Sequence, residues 1–282
     1  MITWNIHIKK KIMYSIKKCP YCESSDKILL GTQTHNDKYL ELIDTDLNKQ
    51  ERHWYKCEKC DFIYRSPVID HEEAEILYSK YRSFDFRKIT PSDYFEKMTS
   101  IPENKSETYE KAKFIKENVQ NIHSILDIGC GGGIFLYQLN KLFPNSYILG
   151  LEPNSDYAKM VRDKMNIDII EDFYKKDNID RIFDLTVSTD VIEHIHDLEV
   201  FWKGTINNVQ KGKYLFLEVP SVENFDSIDV EDEIFEAPHI YFFYKKHILQ
   251  LANRYDFELV NSKNMIVRNK YKKDLYLFKK KG

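Results

Sequence analysis

The feature that most limits how this chain can fold is the segment SILDIGCGGGIF at residues 124–135. An apolar run stops at an aspartate, and four glycines follow within five positions. The run predicts a buried strand, and IFLYQLNKLF after the glycines predicts a helix. Glycine adopts positive φ readily and lets a ligand approach the backbone closely. Because ligands of open α/β sheets lie beyond the carboxyl ends of the strands, the segment predicts a strand, a turn and a helix around a ligand site.

The spacing of the glycines decides which ligand fits this turn. A dinucleotide site requires G-x-G-x-x-G, but the sixth position counted from Gly129 is Ile134, and counted from Gly131 it is Leu136. A phosphate loop requires a lysine and then a serine or threonine, and neither follows the glycines. What remains is D-x-G-x-G-x-G, which begins at Asp127. An aspartate repels a phosphate by like charge, so the pattern favours a cationic ligand.

From Ser106 onward, predicted strands and helices alternate along the chain. Ser106 is placed to cap the helix SETYEKAKFIKENVQN, and HSILDI is the first strand. The strands SYILGL, IDII, IFDLTVST and KYLFLEV follow, most of them separated by helical patterns, and DFELVNSKNM and DLYLFKKK are the terminal strands. Repeated strand–helix units predict a parallel sheet covered on both faces.

The segment ILDIGCGGGIFL resembles the first motif of class I S-adenosylmethionine-dependent methyltransferases, and the resemblance extends over residues 106–282. It implies an α/β fold with a Rossmann-like methyltransferase sheet, parallel with an antiparallel terminal strand. It also implies S-adenosylmethionine as the cofactor, which carries an ammonium and a sulfonium but no phosphate. The cofactor-binding residues that it implies at this motif are Asp127, Gly129, Cys130, Gly131 and Gly133.

Three later segments resemble further donor-binding motifs of the family. LGLEPN places Glu152 23 residues after Gly129, near the distance at which an acidic residue meets a ribose. In IIEDFY, the resemblance implies that Asp172 accepts a hydrogen bond from the adenine amino group and that Phe173 packs on the ring; a solvated loop acid is the alternative for Asp172. FDLTVSTDVIEHIHD resembles the segment that lines both the methyl donor and the acceptor, which adds Asp190 to the cofactor-binding set.

Four of the five cysteines form two Cys-x-x-Cys pairs, Cys19 with Cys22 and Cys57 with Cys60. In a reducing cytoplasm, paired cysteines are more often metal ligands than disulfides, and two such turns supply the four thiolates of a tetrahedral Zn²⁺. We therefore expect a structural zinc on these residues, in a zinc-ribbon domain at 17–66. The 34 residues between the pairs must form an extended hairpin or an insertion. Thiols without a metal are the alternative.

The next segment, 67–105, is predicted to contain the helix HEEAEILYSKY and then a linker with Pro91 and Pro102. The stretch from CPYC to the tyrosines of this helix resembles the zinc-binding N-terminal region of bacterial methyltransferases that act on deoxysugars and in surface-polysaccharide or secondary-metabolite pathways. This resemblance implies O-methylation of a sugar, a nucleotide sugar or a related small metabolite. The sugar C-methyltransferases carry a further C-terminal domain, whereas this sequence stops after the last predicted strands. We therefore expect O-methylation in preference to C-methylation of a keto sugar.

Two histidines are the candidate catalytic residues. PHIYFF resembles the family segment that carries an acceptor-facing histidine, here His239, and EHIH contributes His194. An imidazole suits proton removal near neutral pH, so His239 is the expected base and His194 the second candidate. A structural histidine bonded to backbone is the alternative for each, and His196 is expected at the surface.

The loop ahead of His239 is strongly acidic. Residues 223–236 contain seven carboxylates: Glu223, Asp226, Asp229, Glu231, Asp232, Glu233 and Glu236. In the expected fold this loop overhangs the acceptor pocket, where like charge disfavours RNA or DNA as the substrate. A solvated loop, a divalent-metal site and a site for a cationic acceptor are the alternatives.

Charge and hydropathy set the remaining expectations. The net charge is −3, and no apolar run approaches the roughly 20 residues of a membrane helix. The N-terminus lacks the apolar core of a signal peptide, although Met13 is an alternative start. We therefore expect a cytoplasmic protein that acts on a small-molecule or carbohydrate acceptor, without nucleic acid or membrane as a partner. The sequence leaves the oligomeric state open.

Two other functions stay open. An RNA methyltransferase would use the zinc ribbon as its reader, but residues 17–66 hold nine Lys and Arg against nine Asp and Glu. That balance is unlike the basic surface of a nucleic-acid reader. A non-catalytic interaction protein that retains the fold would fail to bind S-adenosylmethionine.

Overall fold

A computed structural model of the chain describes residues 14–43, 45–175, 179–222, 229–267 and 271–282. The alternative start at Met13 and two of the loop carboxylates, Glu223 and Asp226, lie outside these residues. None of the helices in the described ranges has the length and apolar character of a membrane span.

Short strands and helices fill the first part of the chain, and strand–helix units fill the rest. The strands are β1 (Lys27–Gln33), β2 (Arg52–Cys57), β3 (Ile63–Ser66), β4 (Ser124–Ile128), β5 (Tyr147–Leu151), β6 (Asp168–Ile170), β7 (Phe183–Thr189), β8 (Val209–Pro220), β9 (Tyr241–Phe242), β10 (Phe257–Val267) and β11 (Tyr271–Lys280). The helices are α1 (His71–Lys80), α2 (Phe84–Arg87), α3 (Pro91–Thr99), α4 (Glu107–Asn118), α5 (Ile134–Leu142), α6 (Ser155–Met165), α7 (Leu198–Asn208) and α8 (Lys245–Arg254).

The larger sheet has seven strands in the order β10-β11-β8-β7-β4-β5-β6. Strands β4 to β8 pair in parallel, and β11 pairs antiparallel with both β8 and β10. The chain adds β5 and β6 on one side of β4 and then returns to add β7 and β8 on the other. The switch point therefore lies at the carboxyl ends of β4 and β7, where such folds bind ligands. The predicted fold class, a Rossmann-like parallel sheet with an antiparallel terminal strand, is confirmed.

Apolar clusters cover both faces of this sheet. Ile125 and Leu126 are neighbours on β4, yet they belong to different clusters because successive residues of a strand point to opposite faces. On one face, α5 packs through Leu136, and on the other α7 and α8 pack through Trp202 and Leu251. Burial of one such side chain contributes about 1.5–3 kcal/mol. The sheet therefore provides a rigid frame for the loops at its carboxyl edge.

The smaller sheet has the order β1-β2-β3-β9 and is antiparallel throughout. Strands β1 and β2 pair with each other, so the residues between the two cysteine pairs form a hairpin. Strand β9 comes from the C-terminal half of the chain: Phe242 pairs with Ile63, and Tyr241 pairs with Tyr64. Hydrogen bonds thus join the range 17–66 to the range 106–282, and the domain boundaries at 66 and 105 stay a prediction.

Two further helices lie in the segment after α1 that the sequence predicts to be a linker. Helices α2 and α3 occupy much of that segment, and α3 begins at Pro91. The hydroxyl of Thr90 caps α3 by accepting a hydrogen bond from the N–H of Asp93 at 3.1 Å. Proline is favourable in the first turn of a helix, where its missing N–H has no partner to lose. Pro91 therefore starts a helix instead of breaking one.

Candidate active site

The glycine turn joins β4 to α5 in a conformation that glycine adopts most readily. Gly129, Gly131 and Gly133 have φ values of +76°, +57° and +72°, in the left-handed region that side chains disfavour. A Cβ atom on Gly129 would also lie 2.6 Å from Cγ2 of Val191. The N–H of Gly129 donates to the carbonyl of Leu151 at 2.9 Å, which fixes the turn beside the end of β5.

Glu152 follows β5 directly and is only 4% exposed. Its Oε2 accepts a hydrogen bond from the N–H of Gly131 at 2.9 Å, and its Oε1 accepts one from the N–H of Asn154 at 3.0 Å. Each carboxylate oxygen has two lone pairs, so both can still accept from a ligand hydroxyl. The carboxylate therefore holds the glycine turn and can contact a ribose at the same time.

The side chain of Asp127 is buried and has no hydrogen-bond partner among the described residues. It is 1% exposed, and neither carboxylate oxygen has a hydrogen-bond partner there. Burial, helped by the nearby charge of Glu152, raises the pKa of this carboxyl to about 8. An isolated buried carboxylate is costly, so Asp127 stays protonated near neutral pH until a cation approaches. The next two residues, Ile128 and Gly129, line the adjoining cavity.

That cavity, which we call the donor pocket, has a volume of about 480 Å³, within the usual range for small-molecule sites. Of the residues predicted to bind the cofactor, four line it: Gly129, Glu152, Phe173 and Asp190. They come from the ends of different strands of the large sheet. The fold therefore brings together at one edge the residues that the sequence separates by about 60 positions.

The remaining predicted cofactor residues lie around this lining. Asp127, Gly131 and Gly133 belong to the strand end and the turn beneath the pocket. Cys130 is buried in the core, with its Sγ 2.8 Å from the position that a Cβ on Gly150 would take. Asp172 lies beside Phe173, and its Oδ1 is 2.8 Å from the ammonium of Lys175.

Helix α1 and the residue two positions beyond it cover the donor pocket, a feature that sequence analysis misses. Tyr78 and Arg82 line the pocket. The guanidinium of Arg82 lies against the glycine turn, with Nη1 3.0 Å from the position that a Cβ on Gly131 would take. The side chain of Asn154 donates to the carbonyl of Ser79 at 2.9 Å, which ties α1 to the end of β5. The tyrosine-rich helix end YSKYR is the local signal for this cover.

A second cavity of about 310 Å³, the acceptor pocket, adjoins the first. Tyr78, Tyr81, Asp190 and His194 line both cavities, so the two pockets meet at these residues. The ring of Tyr78 lies 5.8 Å from that of Phe173 and 6.0 Å from that of His194, measured between centroids. An aromatic side chain of α1 thus separates the two pockets.

Ion pairs cross the acceptor pocket. Lys273 of β11 pairs with Asp190, and Lys111 of α4 pairs with Glu218 of β8. Asp190 has a φ of +54°, which is uncommon for a residue other than glycine and is frequent at functional sites. Burial by itself raises the pKa of Asp190, but the ammonium groups of Lys273 and Lys111 lower it overall. No local pattern predicts these pairs, because their members lie far apart in the sequence.

The structure brings the two candidate catalytic histidines together in the acceptor pocket, with ring centroids 4.7 Å apart. Nδ1 of His194 lies 2.6 Å from the carbonyl oxygen of Pro238, and Nδ1 of His239 lies 2.5 Å from that of Ile234. A carbonyl only accepts, so each Nδ1 carries a hydrogen and each Nε2 keeps its lone pair. Burial lowers the pKa of His194 to about 4 and that of His239 to about 3. Both rings are therefore neutral at pH 7.

The described part of the acidic loop is bonded to the hairpin between the cysteine pairs. Glu236 pairs with Lys38 at 2.9 Å, and Glu231 pairs with His35 at 2.5 Å. Lys38 and Tyr39 also line the acceptor pocket. The hairpin thus forms one wall of this pocket, and Glu236 and Glu231 of the acidic loop pair with it.

The four paired cysteines converge into one group, which we call the cysteine cluster. Sγ of Cys19 lies 3.6 Å from Sγ of Cys60, and Sγ of Cys22 lies 3.6 Å from Sγ of Cys57. All four sulfurs lie within 4.8 Å of one another. Thiolates bound at about 2.3 Å to one tetrahedral Zn²⁺ would place their sulfurs about 3.8 Å apart. The spacing of the cluster therefore fits a zinc ion, which stays a prediction.

The glycine turn lies at the switch point of a parallel sheet, with an acidic residue at the end of the next strand. This arrangement indicates a ligand site, and a second pocket adjoins it. The sequence model of a family described as a methyltransferase domain matches residues 82–262, well over half of the chain. The chain belongs to this methyltransferase family. The match includes the glycine turn, both histidines and the start of β10, and it begins at Arg82.

Curated relatives match parts of this methyltransferase. It is 25% identical over 150 residues to (S)-tetrahydroprotoberberine N-methyltransferase of Eschscholzia californica, covering 49% of the chain and 43% of that enzyme. It is 29% identical over 103 residues to the mitochondrial ubiquinone biosynthesis O-methyltransferase of Homo sapiens, covering 33% of the chain and 27% of that enzyme. It is 32% identical over 130 residues to malonyl-[acyl-carrier protein] O-methyltransferase 2 of Ilyobacter polytropus, covering 42% of the chain and 49% of that enzyme. The chain spans less than half the length of each of these relatives.

Solved structures resemble the methyltransferase in fold. Coclaurine N-methyltransferase bound to N-methylheliamine and SAH has a TM-score of 0.53 at 13% identity, over 76% of this chain and 89% of that one. Magnesium protoporphyrin IX methyltransferase of Synechocystis with bound SAH has a TM-score of 0.53 at 10% identity, over 73% and 99%. At these identities the likeness shows the fold alone.

Proposed function

We propose that this methyltransferase binds S-adenosylmethionine in the donor pocket and directs its methyl group to a hydroxyl oxygen of a small molecule in the acceptor pocket. The observation that carries the proposal is that the two pockets meet at Tyr78, Tyr81, Asp190 and His194. A donor on one side and an acceptor on the other would meet there. The family match over residues 82–262 supports the same class of reaction.

Each part of S-adenosylmethionine has a complementary group in or beside the donor pocket. The ribose hydroxyls would donate to Glu152, and the ammonium would pair with Asp127. Arg82 would pair with the carboxylate of the amino-acid end, because its guanidinium lies against the glycine turn. Phe173 would pack on the adenine ring, and Asp172 would accept from the adenine amino group. S-adenosylmethionine supplies an electrophilic methyl group when bound.

The protein's residues would then orient the acceptor and take its proton. Tyr78 and Tyr81 would exclude water at the junction of the pockets, which strengthens the polar contacts inside. Nε2 of His239, with His194 beside it, would receive the hydroxyl proton of the acceptor. A base with a pKa of about 3 is weak. We therefore expect assistance from His239 near the lower end of the range for general bases, about 10²-fold.

The lining of the acceptor pocket supports a polar, hydroxyl-bearing acceptor. Charged and hydrogen-bonding side chains from the hairpin, the acidic loop and the large sheet surround the cavity. We propose a sugar, a nucleotide sugar or a related small metabolite of surface-polysaccharide or natural-product biosynthesis, methylated in the cytoplasm. An RNA acceptor is disfavoured, because residues 17–66 hold as many acidic as basic residues and so lack the basic surface of a nucleic-acid reader.

We also propose that the cysteine cluster binds one structural Zn²⁺. Four thiolates fill all tetrahedral positions, so this ion would have no open position for chemistry. Its effect on the reaction would be indirect: the cluster anchors β2 and the start of the hairpin whose other end lines the acceptor pocket. Loss of zinc is expected to loosen that wall.

A methyl-transfer screen tests the proposal. The purified protein is incubated with isotope-labelled S-adenosylmethionine and with panels of nucleotide sugars, glycans, phenols and amines, and the products are identified by mass spectrometry. We expect the label on a hydroxyl oxygen of a sugar-containing acceptor. Transfer to an amine instead would contradict the acceptor class, and absence of S-adenosylmethionine binding in a parallel calorimetric titration would contradict the proposed function as a whole.

A further inference from the structure

We infer that Glu193, His194 and His239 form a binding site for one divalent transition-metal cation beside the acceptor pocket. The inference deepens the proposed function, and its catalytic part rests on that function. The site is separate from the cysteine cluster and uses none of its residues. We call these three residues the His–Glu group.

The first observation is the convergence of three ligand types. One ligand atom from each of Glu193, His194 and His239 lies within 4.8 Å of the other two. Nε2 of His194 lies 4.0 Å from Oε1 of Glu193. A cation with ligands at about 2.1 Å brings neighbouring ligand atoms to about 3 Å from each other. Small rotations of these side chains are enough to close the group around an ion.

The second observation is the orientation of the two rings. Both Nδ1 atoms are engaged by backbone carbonyls, those of Pro238 and Ile234, and this leaves Nε2 of each ring as the atom with a free lone pair. Metal-binding histidines usually donate their second ring N–H to a carbonyl or carboxylate, which fixes the tautomer and the ring plane. The two rings therefore already have the hydrogen bonds that metal ligands require.

The third observation concerns the carboxylate of Glu193. Its side chain is 0% exposed, and neither oxygen has a hydrogen-bond partner among the described residues. The neighbouring carboxylates are neutralised, because Lys111 pairs with Glu218 and Lys273 pairs with Asp190. Among the residues that the structure describes, Glu193 is left without a cationic partner, and a buried carboxylate without a partner is costly. A divalent ion on the His–Glu group would supply that partner.

Two imidazole nitrogens and one carboxylate oxygen favour Mn²⁺, Fe²⁺, Co²⁺ or Zn²⁺ over Mg²⁺ and Ca²⁺, which prefer ligand sets made of oxygen alone. Three protein ligands leave positions for oxygens from the acceptor pocket. When Nε2 of His239 is bound to the cation it does not act as the base: the cation makes the bound acceptor hydroxyl more acidic, and its proton can leave to water.

The chain offers a matched control in His196, which lies two positions from His194. The structure corrects the prediction that His196 is at the surface: it is half-buried, and its Nε2 lies 2.5 Å from the carbonyl oxygen of Ile69. Its Nε2 is therefore occupied, and it does not belong to the His–Glu group. Replacing it removes a half-buried imidazole from the same loop without removing a proposed ligand.

The test is a titration of the full chain, with its zinc retained, by MnCl₂, with free Mn²⁺ followed by electron paramagnetic resonance. Thiolate clusters bind Mn²⁺ poorly, so the cysteine cluster does not interfere. We expect one Mn²⁺ per chain in the wild type and at least a tenfold weaker affinity in Glu193→Gln and His239→Gln, each close in size to the original residue. His196→Gln should bind Mn²⁺ as the wild type does. Far-ultraviolet circular dichroism and thermal unfolding check that each variant is folded.

Each outcome decides the inference. Failure of the wild type to bind Mn²⁺, or equal binding by Glu193→Gln and His239→Gln, overturns it. Loss of binding in His196→Gln to the same extent also overturns it, because the effect would then not depend on the three ligands. S-adenosylmethionine binding is measured separately by calorimetry, so wild-type protein that binds Mn²⁺ but not S-adenosylmethionine would support the metal site and contradict the proposed function.

Discussion

Binding of S-adenosylmethionine is predicted to release a proton from Asp127. Without ligand, burial and the charge of Glu152 hold the pKa of this carboxyl at about 8, so about 0.9 of the molecules carry the proton at pH 7. Pairing with the ammonium of the donor favours the charged carboxylate and lowers its pKa. An α-amino group has a pKa of about 7.7–8.0, so the donor is mostly charged already and takes up only about 0.1 proton. The net release at pH 7 is therefore about 0.8 proton per ligand.

Isothermal titration calorimetry in buffers of different ionisation enthalpy measures this number, because the observed heat changes in proportion to the protons transferred to the buffer. Asp127→Asn keeps the shape and removes the charge, so we expect almost no release. This variant should also bind S-adenosylmethionine about 1.5–3 kcal/mol more weakly, the usual effect of losing a hydrogen bond to a charged group. Glu171→Gln is the control, because Glu171 is a half-exposed acid near the same edge that pairs with Arg162, and its release should equal that of the wild type.

The raised pKa of Asp127 also predicts how the free energy of unfolding of the ligand-free protein changes with pH. Its pKa in the folded protein lies above the value of about 3.9 in an unfolded chain, so the folded state binds more protons between those values. The contribution of Asp127 to the free energy of unfolding is fully present below about pH 4 and is lost as the pH rises through about 8. Between about pH 5 and 7 this free energy falls by about 1.4 kcal/mol per pH unit. Urea unfolding should show this slope in the wild type and a smaller one in Asp127→Asn. In the calorimetric experiment, a net release below about 0.3 proton per ligand, or equal release by the wild type and Asp127→Asn, would refute the pairing of Asp127 with the ammonium of the donor.

Three further variants test the rest of the site. Glu152→Gln should bind S-adenosylmethionine about 10- to 150-fold more weakly, since it loses charged hydrogen bonds to ribose hydroxyls; unchanged affinity by calorimetry would rule out the ribose contact. Cys57→Ser should retain less than half an equivalent of zinc and unfold at a lower temperature, because it removes one of four thiolates; full zinc and stability would contradict the structural site. His239→Ala should lower turnover by about 10²-fold with nearly unchanged S-adenosylmethionine affinity; if His239→Ala stays active and His194→Ala abolishes turnover, the base is His194.

Much of the large sheet could be predicted because its signals are local. The apolar run before Asp127, the glycines after it and the helix that begins at Ile134 lie within twelve residues, and each has a direct physical reason. The cysteine pairs are equally local, since two Cys-x-x-Cys turns are recognised from their spacing alone and their sulfurs lie together in the fold. Strands, turns and cysteine pairs of this kind are determined by neighbouring residues in the sequence.

Contacts between distant segments could not be predicted in this way. Lys111, Glu218 and Lys273 meet in the acceptor pocket from a helix and two strands, and no periodicity marks them in advance. The role of Arg82 depends on how α1 packs over the glycine turn, which a single helix pattern does not reveal. The role of Pro91 is ambiguous in the sequence for a different reason, because a proline that breaks a helix interior is favourable in the first turn of a helix.

The small sheet shows the same limit. Strand β9 has only two residues, Tyr241 and Phe242, and its pairing with β3 joins parts of the chain about 175 residues apart. So short a strand has no recognisable alternation, and its partner is decided by tertiary packing. This pairing places the hairpin beside the acceptor pocket, so the link between the cysteine cluster and the acceptor could be seen only in the folded protein.

The central claim is that the pocket beside the glycine turn is a site for S-adenosylmethionine. Calorimetric titration of the wild-type protein with S-adenosylmethionine, and separately with NADH, tests it most directly. The account predicts one S-adenosylmethionine per chain, displaced by S-adenosylhomocysteine, and no heat of binding with NADH, because the glycine spacing does not fit a pyrophosphate. Binding of NADH in its place, or no binding of S-adenosylmethionine at all, would contradict the account.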